Sequence, residues 1–344
     1  MKAAILTGLR QIEIADVPKP IIKNDNDVLL KVAVVGVCGS DIHYYLTGRI
    51  GSQIVQYPYI VGHECSAVVE AVGKKVKTVK PGDTVVVEPA VSCHNCVQCK
   101  MGRENTCLNL KFLGTPTQMS GCLCEYIVMP DDCCLPTKGG LTLEQAALCE
   151  PFTIGVYTIK QSNLVKGNTI AILGSGPIGL SCLVAAKIQK AGAIYATDKL
   201  DYRVDCAKKN GASWAGNPDK KDIVKSILQQ QPAGIDIACE CAGQQETIDQ
   251  TIDLLRPGGK LMLVGIPQFE RFSFPVDKIR RKEITIINVR RQNRTTDTAM
   301  KLVAAGKAEI DFMATHRFKL QQAKDAFDLV ADYRDAVIKA MIEL

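Results

Sequence analysis

The chain has 344 residues, 47% of them hydrophobic, which is enough for two buried cores. Its formal net charge of +6 is modest, and the densest basic stretch, residues 278–294, carries no recognised nucleic-acid-binding motif. The apolar runs fall far short of the roughly 20 residues that span a bilayer, and the N-terminus lacks the regions of a secretory signal. These features argue against nucleic-acid and membrane proteins and predict a cytoplasmic one.

The first 150 residues are expected to be mostly β-structure. Residues 1–8 are typical of a short strand, and further apolar or alternating runs occupy 11–17, 28–37, 67–72, 84–87 and 126–129. No helical period persists in this part for more than a turn or two. We therefore expect a β-rich region here.

From residue 168 the pattern changes to alternating strands and helices. The predicted strands are 169–173, 194–197, 235–240 and 260–265, and the predicted helices are 178–189, 203–210, 223–229 and 246–255. Such alternation predicts a parallel, doubly wound sheet of the Rossmann type. The tail after residue 291 alternates in the same way, but it is too small to form a domain. We expect it to pack on the N-terminal β region.

Fifteen cysteines in a chain without a secretory signal suggest metal ligands plus buried thiols rather than disulfides. Cys93, Cys96, Cys99 and Cys107 are spaced closely enough to close a tetrahedral structural zinc site. An iron–sulfur cluster is the nearest alternative. The bacterial ferredoxin run, however, ends in a three-residue gap followed by proline, whereas here the last gap has seven residues and Leu108 follows. Chance clustering of buried thiols that bind no metal is the other alternative, and the regular spacing of these cysteines disfavours it.

A glycine-rich turn follows the predicted strand 169–173 and opens a helix. It comprises Gly174, Gly176, Pro177, Ile178 and Gly179. In a dinucleotide-binding turn these glycines allow a tight bend, a close approach of the pyrophosphate and close packing of helix on strand. The pyrophosphate then lies at the positive end of the helix.

The charge after the second strand of this region predicts the choice of cofactor. Asp198 stands where a carboxylate binds the adenosine ribose, and a carboxylate repels the 2′-phosphate of NADP. Lys199 and Arg203 lie nearby and could instead receive that phosphate. NAD is the favoured prediction.

Three dispersed segments carry further ligand-type residues: Cys38 to His43, Gly62-His63-Glu64, and Glu150-Pro151. Each is weak alone. In this order, together with the four cysteines and the glycine-rich turn, they resemble the zinc-containing medium-chain dehydrogenase/reductase family from end to end. The segment at Gly62 resembles the family's zinc signature, with Ala67 in place of one glycine.

Within that family the chain is most similar to the polyol (sorbitol and xylitol) dehydrogenases, through residues 36–51 and Glu150-Pro151. The resemblance implies a β-rich, GroES-like catalytic domain from 1–151 and 291–344, and a Rossmann NAD-binding domain from 152–290. It also implies a catalytic zinc held by Cys38, His63 and Glu64, with Glu150 beside it or bound through water. Further cofactor contacts would be Val264, Gly265, Ile266, Val289 and Arg290.

The resemblance further implies that a secondary hydroxyl of a small polyol loses hydride to NAD and becomes a ketone, with zinc lowering the proton affinity of the oxygen. Ser40 and His43 would relay the proton, while Glu64 and Glu150 would complete the catalytic set. Tyr44, Glu150 and Arg291 would contact the substrate, although Gln292 stands where a tyrosine is typical. A homotetramer is the expected assembly.

Three alternative functions remain open at this point. Threonine dehydrogenase, or another zinc-dependent secondary-alcohol dehydrogenase, would use the same residues. A zinc-free quinone reductase of similar fold is disfavoured because every ligand position is filled. A non-enzymatic zinc protein would give no alcohol-dependent NADH signal.

Overall fold

The structure is a computed structural model that describes residues 1–344. The chain forms two compact units. The first comprises Met1–Glu150, Thr296–Gly306 and Ile310–Leu344, and the second comprises Pro151–Thr295 and Lys307–Glu309. No helix in the structure combines the length and the apolar character needed to cross a membrane.

The N-terminal part of the first unit is built mainly from strands rich in β-branched residues, which suit a pleated, buried surface. The strands are β1 (Lys2–Gly8), β2 (Gln11–Asp16), β3 (Asp27–Gly36), β4 (Arg49–Ile50), β5 (Gln53–Ile54), β6 (Glu64–Val72), β7 (Thr84–Val87), β8 (Ala90–Val91), β9 (Lys111–Phe112), β10 (Tyr126–Pro130) and β11 (Cys134–Pro136). Two helices interrupt them, α1 (Gly39–Thr47) and α2 (Val97–Lys100).

The second unit alternates helices with strands. The helices are α3 (Leu143–Ser162), α4 (Pro177–Ile188), α5 (Asp201–Lys209), α6 (Ile223–Leu228), α7 (Gln245–Leu254) and α8 (Val276–Arg281), and α3 also contains the boundary between the units. The strands are β12 (Thr169–Leu173), β13 (Ala193–Thr197), β14 (Trp214–Gly216), β15 (Ile235–Glu240), β16 (Leu255–Leu263) and β17 (Thr285–Asn288).

These six strands form one parallel sheet in the order β14-β13-β12-β15-β16-β17. The strand order reverses between β12 and β15, and ligands of open α/β sheets bind at such a reversal, outside the carboxyl ends of the strands. The predicted doubly wound sheet is confirmed. Its core is a layer of fully buried apolar side chains, among them Ala171, Ile252 and Leu261.

The tail returns to the first unit through α9 (Thr296–Ala304), β18 (Ala314–Lys319), α10 (Ala323–Ala331) and β19 (Lys339–Glu343). Its last strand, β19, pairs antiparallel with β3 and parallel with β18, so the sheet runs β11-β7-β6-β3-β19-β18, with β10 also paired to β3. The tail therefore completes the sheet that carries the first cysteine and histidine segments.

Some expectations from the sequence were wrong in detail. Two helices, α1 and α3, occupy parts of the first 150 residues where no persistent helix was expected. Pro151 lies inside α3, and a proline ordinarily ends a helix because it lacks an amide hydrogen. Complete burial of Leu148 and Phe152 on either side accompanies this helix, so tertiary packing outweighs the local signal. Pro151, residues 291–295 and residues 307–309, all expected in the first domain, group with the second unit.

Candidate active site and metal centres

The dispersed segments of the sequence converge on one group, Cys38, His63 and Glu64, which we call the mixed cluster. Cys38 lies just after β3 and caps the N-terminus of α1, while Glu64 begins β6. Antiparallel pairing of β3 with β6 sets Gly36 opposite Glu64 and so brings the segments together. The three ligand atoms lie within 4.8 Å of one another, and His63 and Glu64 are buried.

Asp41, which is 1% exposed, bonds to the backbone of two of the segments that form this cluster. Its Oδ2 accepts the backbone N–H of Cys38 at 3.1 Å, and its Oδ1 accepts that of Gly62 at 3.2 Å. Nδ1 of His63 lies 3.5 Å from the same Oδ1. Because Nδ1 faces Asp41, Nε2 is the nitrogen left for a metal, an arrangement that metal-binding histidines commonly show. Burial alone disfavours a charged imidazole, but Asp41 and Cys38 raise the pKa of His63 well above its usual value.

Glu64 faces a second buried charge. Nζ of Lys339 donates to Oε2 of Glu64 at 2.5 Å and to the carbonyl oxygen of Val37 at 3.2 Å. Lys339 and Glu64 are 2% and 1% exposed, and the lysine pKa is raised because the carboxylate more than offsets its burial. This ion pair engages Oε2 of Glu64. The other carboxylate oxygen, Oε1, is not paired with a lysine or arginine.

Glu150, on α3, lies near the mixed cluster but is not part of the group whose atoms fall within 4.8 Å. Burial raises its pKa to about 8, and His63 opposes that rise, so the two side chains interact. A buried carboxyl with this pKa can hold or release a proton near neutral pH. Cys149 is also fully buried, with its pKa raised to about 12 by burial, which fits a packed thiol.

Helix α1 presents the predicted relay and substrate residues beside Cys38. Ser40, His43 and Tyr44 are spaced three and four residues apart, so they share one face of the helix. Tyr44 is buried, and its hydroxyl donates to Oε1 of Gln53 at 3.1 Å. His43 is half-buried, and this burial lowers its pKa.

The donor set of the mixed cluster suits zinc. It offers one sulfur, one imidazole nitrogen and one carboxylate oxygen, and zinc accepts all three kinds. Three protein ligands are the number found in catalytic zinc sites, which keep a further position for water or substrate. The residues present therefore fit a catalytic zinc.

The four-cysteine cluster consists of Cys93, Cys96, Cys99 and Cys107. Their sulfurs lie within 4.8 Å of one another, with separations of 3.4 Å (93–107), 3.6 Å (96–99) and 3.8 Å (96–107). A tetrahedral zinc with Zn–S bonds of about 2.3 Å places its sulfurs about 3.8 Å apart. The cluster thus has the composition and the size of a structural zinc site.

Backbone amides support thiolate character in this cluster. The N–H of residue 96 donates to the sulfur of Cys93, and the N–H of Leu108 donates to the sulfur of Cys96. Such donors lower the pKa of Cys93 to about 6 and also lower that of Cys96, whereas burial raises the pKa of Cys99 to about 12. Four thiolates so close together need a cation, which a divalent metal supplies.

The glycine-rich turn lies at the carboxyl end of β12. Gly174 has φ +100°, in the left-handed region that favours glycine. A Cβ on Gly179 would overlap the carbonyl oxygen of Gly174, so helix and strand pack in direct contact. Gly176 caps α4 and Pro177 is its first residue, followed by Ile178. This is the geometry in which a helix N-terminus receives a pyrophosphate.

Asp198 follows β13, beside this turn. Its Oδ2 accepts the N–H of Ser175 at 2.8 Å, and its Oδ1 accepts the N–H of Leu200 at 3.0 Å. A guanidinium nitrogen of Arg203 lies 3.8 Å from the same carboxylate. Lys199 instead pairs with Glu246 at 3.2 Å on the exposed surface. Lys199 and Arg203 are the two basic residues that could have received the 2′-phosphate of NADP. Only Arg203 lies against the carboxylate of Asp198.

The remaining predicted cofactor residues follow β16 and β17. The N–H groups of Val264 and Gly265 both donate to the carbonyl oxygen of Glu240 at 2.9 Å, and Ile266 is exposed. Val289 is half-buried, and its N–H donates to the carbonyl oxygen of Leu263. Arg290 is exposed. The residues after β16 and those after β17 thus lie at the carboxyl ends of the parallel strands, where a cofactor is expected.

Arg291 and Gln292 belong to the second unit. Arg291 is half-buried and has φ +54°, an uncommon conformation for a residue with a Cβ. Oε1 of Gln292 accepts the N–H of Thr295 at 2.9 Å and its hydroxyl at 3.0 Å. The glutamine in place of the typical tyrosine therefore secures a local turn.

Sequence reasoning assigned no role to three buried charges: Asp41, Glu240 and Lys339. Oε1 of Glu240 accepts two backbone N–H groups, at 2.9 and 2.7 Å, and thereby shapes the turn after β15. A charged residue within the otherwise apolar run 336–342 was a usable signal for Lys339, because lysine is rarely buried without a partner. The pattern alone did not indicate that partner.

Two family models match the chain. Residues 24–139 match the model described as Alcohol dehydrogenase GroES-like domain, and residues 177–305 match the one described as Zinc-binding dehydrogenase. The first match lies in the unit with both clusters, and the second covers most of the parallel sheet.

Known proteins resemble the chain over nearly its whole length. Sorbitol dehydrogenase of Bacillus subtilis (strain 168) is 38% identical over 343 residues, covering 99% of this chain and 97% of the relative. D-xylulose reductase A of Aspergillus niger is 34% identical over 332 residues, covering 95% and 92%. The crystal structure of an Escherichia coli oxidoreductase/dehydrogenase of unknown specificity superposes with a TM-score of 0.94 at 31% identity, covering 99% and 98%.

Proposed function

Because the chain belongs to the zinc-dependent medium-chain dehydrogenase/reductase family, we propose that it oxidises a secondary hydroxyl of a small polyol and passes the hydride to NAD. The observation that carries this proposal is the mixed cluster, with one sulfur, one nitrogen and one carboxylate donor. The relatives named as sorbitol dehydrogenase and D-xylulose reductase support the polyol class.

We assign the predicted site residues as follows. Cys38, His63 and Glu64 would hold a catalytic zinc, with Glu150 near them, and the four-cysteine cluster would hold a structural zinc. When bound, the catalytic zinc would supply a Lewis acid that lowers the proton affinity of the substrate hydroxyl. Asp41 orients the imidazole of His63.

The released proton is carried by side chains of α1. Ser40 lies two residues from Cys38, and His43 follows one turn later on the same face. Burial lowers the pKa of His43, which keeps its imidazole neutral and able to accept the proton. Glu150, with its pKa near 8, can exchange a proton close to the same cluster.

Selection of a polyol follows from hydrogen bonding. Extra hydroxyls must be paired when water leaves, because an unpaired buried polar group costs about 1–3 kcal/mol. The hydroxyl oxygen of Tyr44, whose hydrogen is donated to Gln53, and the carboxyl of Glu150 can accept hydrogen bonds. We assign Arg291 as the donor. A site built this way penalises substrates without those hydroxyls.

A substrate panel read by NADH absorbance tests the proposal. We expect higher kcat/KM for xylitol or sorbitol than for 2-propanol or cyclohexanol, and a drop for Arg291→Ala that is larger for the polyol. Arg294→Ala, an exposed arginine of the same segment, is the control. Equal losses on both substrate types would give Arg291 a cofactor or structural role. A preference for threonine would favour threonine dehydrogenase.

The choice of NAD rests on Asp198. Its carboxylate lies beside the glycine-rich turn and would repel a 2′-phosphate. We expect NAD to be preferred over NADP, and Asp198→Ala to relax that preference because the charge that repels a 2′-phosphate is then removed while Arg203 remains beside the turn. Lys199→Ala should change little, since Lys199 pairs with Glu246. Equal or better use of NADP by the unmodified protein would contradict the assignment.

We further propose that the first unit is the catalytic domain and the second the NAD-binding domain. The family resemblance supports a homotetramer, and light scattering of the purified protein tests it. Fifteen free cysteines fit a reducing compartment such as the cytoplasm.

A further inference from the structure

Lys339 is a buried cation for which the proposed zinc and cofactor sites give no role. It lies on β19, whose Met341 pairs with Gly36 of β3, so the tail delivers this lysine next to the mixed cluster. Lysine normally keeps its ammonium group in water, and an unpaired buried charge is strongly unfavourable. Here the ammonium is held by Glu64 at 2.5 Å and by a carbonyl oxygen at 3.2 Å.

The absence of a side chain at Gly36 makes room for this ion pair. A Cβ on Gly36 would overlap Oε2 of Glu64 and would lie 3.4 Å from Cδ of Lys339. Glycine at this position therefore leaves the space that the carboxylate and the lysine stem occupy. As a result, Oε2 of Glu64 is directed to the ammonium, and Oε1 is the oxygen that remains for a metal.

We propose that Lys339 is a positioning residue that restricts Glu64 to one metal-binding oxygen and thereby keeps a coordination position open for the substrate. A carboxylate can bind a metal through one oxygen or through both. A catalytic zinc site needs three protein donors and one open position, and a second Glu64 oxygen would compete for that position. This inference rests on the proposed function, because only a catalytic zinc needs the open position.

The test replaces Lys339 with the uncharged, similarly long methionine in the full-length zinc protein. In Lys339→Met both oxygens of Glu64 become free to bind. We expect zinc to be held against a chelator at least as tightly as in the unmodified protein, with two zinc ions per chain retained. We expect kcat/KM for the polyol to fall about tenfold or more while KM for NAD is unchanged.

A spectroscopic readout separates this role from a structural one. In the cobalt-substituted protein, an added ligand oxygen should weaken the visible absorption of the mixed cluster, because four-coordinate cobalt absorbs more strongly than five-coordinate cobalt. Lys339→Arg should keep the original spectrum and recover most of the activity. Lys319→Met is the matched control: it removes an exposed lysine on β18 that pairs with Glu343 at 2.5 Å, and it should change nothing.

Faster loss of zinc from Lys339→Met, or an unchanged cobalt spectrum, overturns the proposal. If Lys339→Met does not fold, Lys339→Gln is measured in the same way with the same expected results, and failure of both to fold makes the lysine purely structural. Absence of polyol-dependent NADH formation by the unmodified protein would instead reject the proposed function, and the cobalt spectra would still report whether Lys339 restrains Glu64.

Discussion

The two metal-ligand clusters of the first unit are assembled in opposite ways. The four-cysteine cluster comes from 15 consecutive residues, 93–107, and two of its cysteines are half-exposed. The mixed cluster joins the ends of two strands, and its surroundings include Asp41 from α1 and Lys339 from the tail. The first cluster is a property of one loop, whereas the second is a property of the folded sheet.

This difference predicts a division of roles. A closed set of four thiolates can stabilise a loop that has little apolar content of its own. A set of three different donors, two of them buried and all oriented by a carboxylate and a lysine, is suited to chemistry at an open position. Breaking each cluster should therefore change different measured quantities.

The largest effect is expected for Cys38→Ser. Loss of the sulfur ligand removes the Lewis acid, which contributes several kcal/mol to the transition state, so kcat/KM should fall by about 10³ or more. The melting temperature should change little. Steady-state kinetics and thermal unfolding measure both, with Cys149→Ala as the control for a buried thiol outside the cluster. Near-normal turnover would show that Cys38 is not a ligand.

Cys96→Ser should affect stability before activity. Losing the structural zinc should destabilise the first unit by about 3 kcal/mol, or roughly 6–12 °C in Tm. Activity per folded molecule should stay close to that of the unmodified protein. Calorimetry with metal analysis tests this, and Cys206→Ser, a half-buried cysteine outside both clusters, is the control. A loss of turnover without a loss of stability would exchange the roles of the two clusters.

Asp41→Asn should loosen the mixed cluster without dismantling it. An amide cannot accept from all three N–H groups that face the carboxylate, so zinc affinity should fall about 10–100-fold. Chelator competition measures this. Asp83→Asn is a matched control, because Asp83 also accepts a backbone N–H three residues earlier, from Lys80, but in an exposed turn. Equal zinc affinity in both variants would deny Asp41 its orienting role.

The smallest effect is expected for Asn109→Ala. Its amide nitrogen donates to the sulfur of Cys93 at 3.6 Å and helps lower that thiol pKa to about 6. Removing the donor raises the pKa, so protons displace zinc at a higher pH during acidification. The shift should be about half a pH unit, and titration with a zinc-sensitive dye measures it. A shift to lower pH would contradict this sign.

What the sequence could predict follows the same contrast. The spacing of Cys93 to Cys107 and of Gly174 to Gly179 is local, and each pattern largely determines its own geometry. Cys38, His63 and Glu64 were grouped through a family resemblance, because no local rule brings residue 38 to residue 63. Lys339 was missed since its partner lies 275 positions earlier in the chain. Helix α3 was missed because its proline gives a stop signal that burial overrides.

The place of β19 in the sheet also affects how the protein is made. On the ribosome, β3 emerges long before β19, and all of residues 151–295 are synthesised between them. The β12-to-β17 sheet can close on its own residues as soon as they emerge. In β3, residues 27–31 can pair with β10 early, but residues 34–36 must wait for β19. During that interval the exposed edge, and the carboxylate of Glu64 without its lysine, form the part of the nascent chain most open to mispairing or to a chaperone.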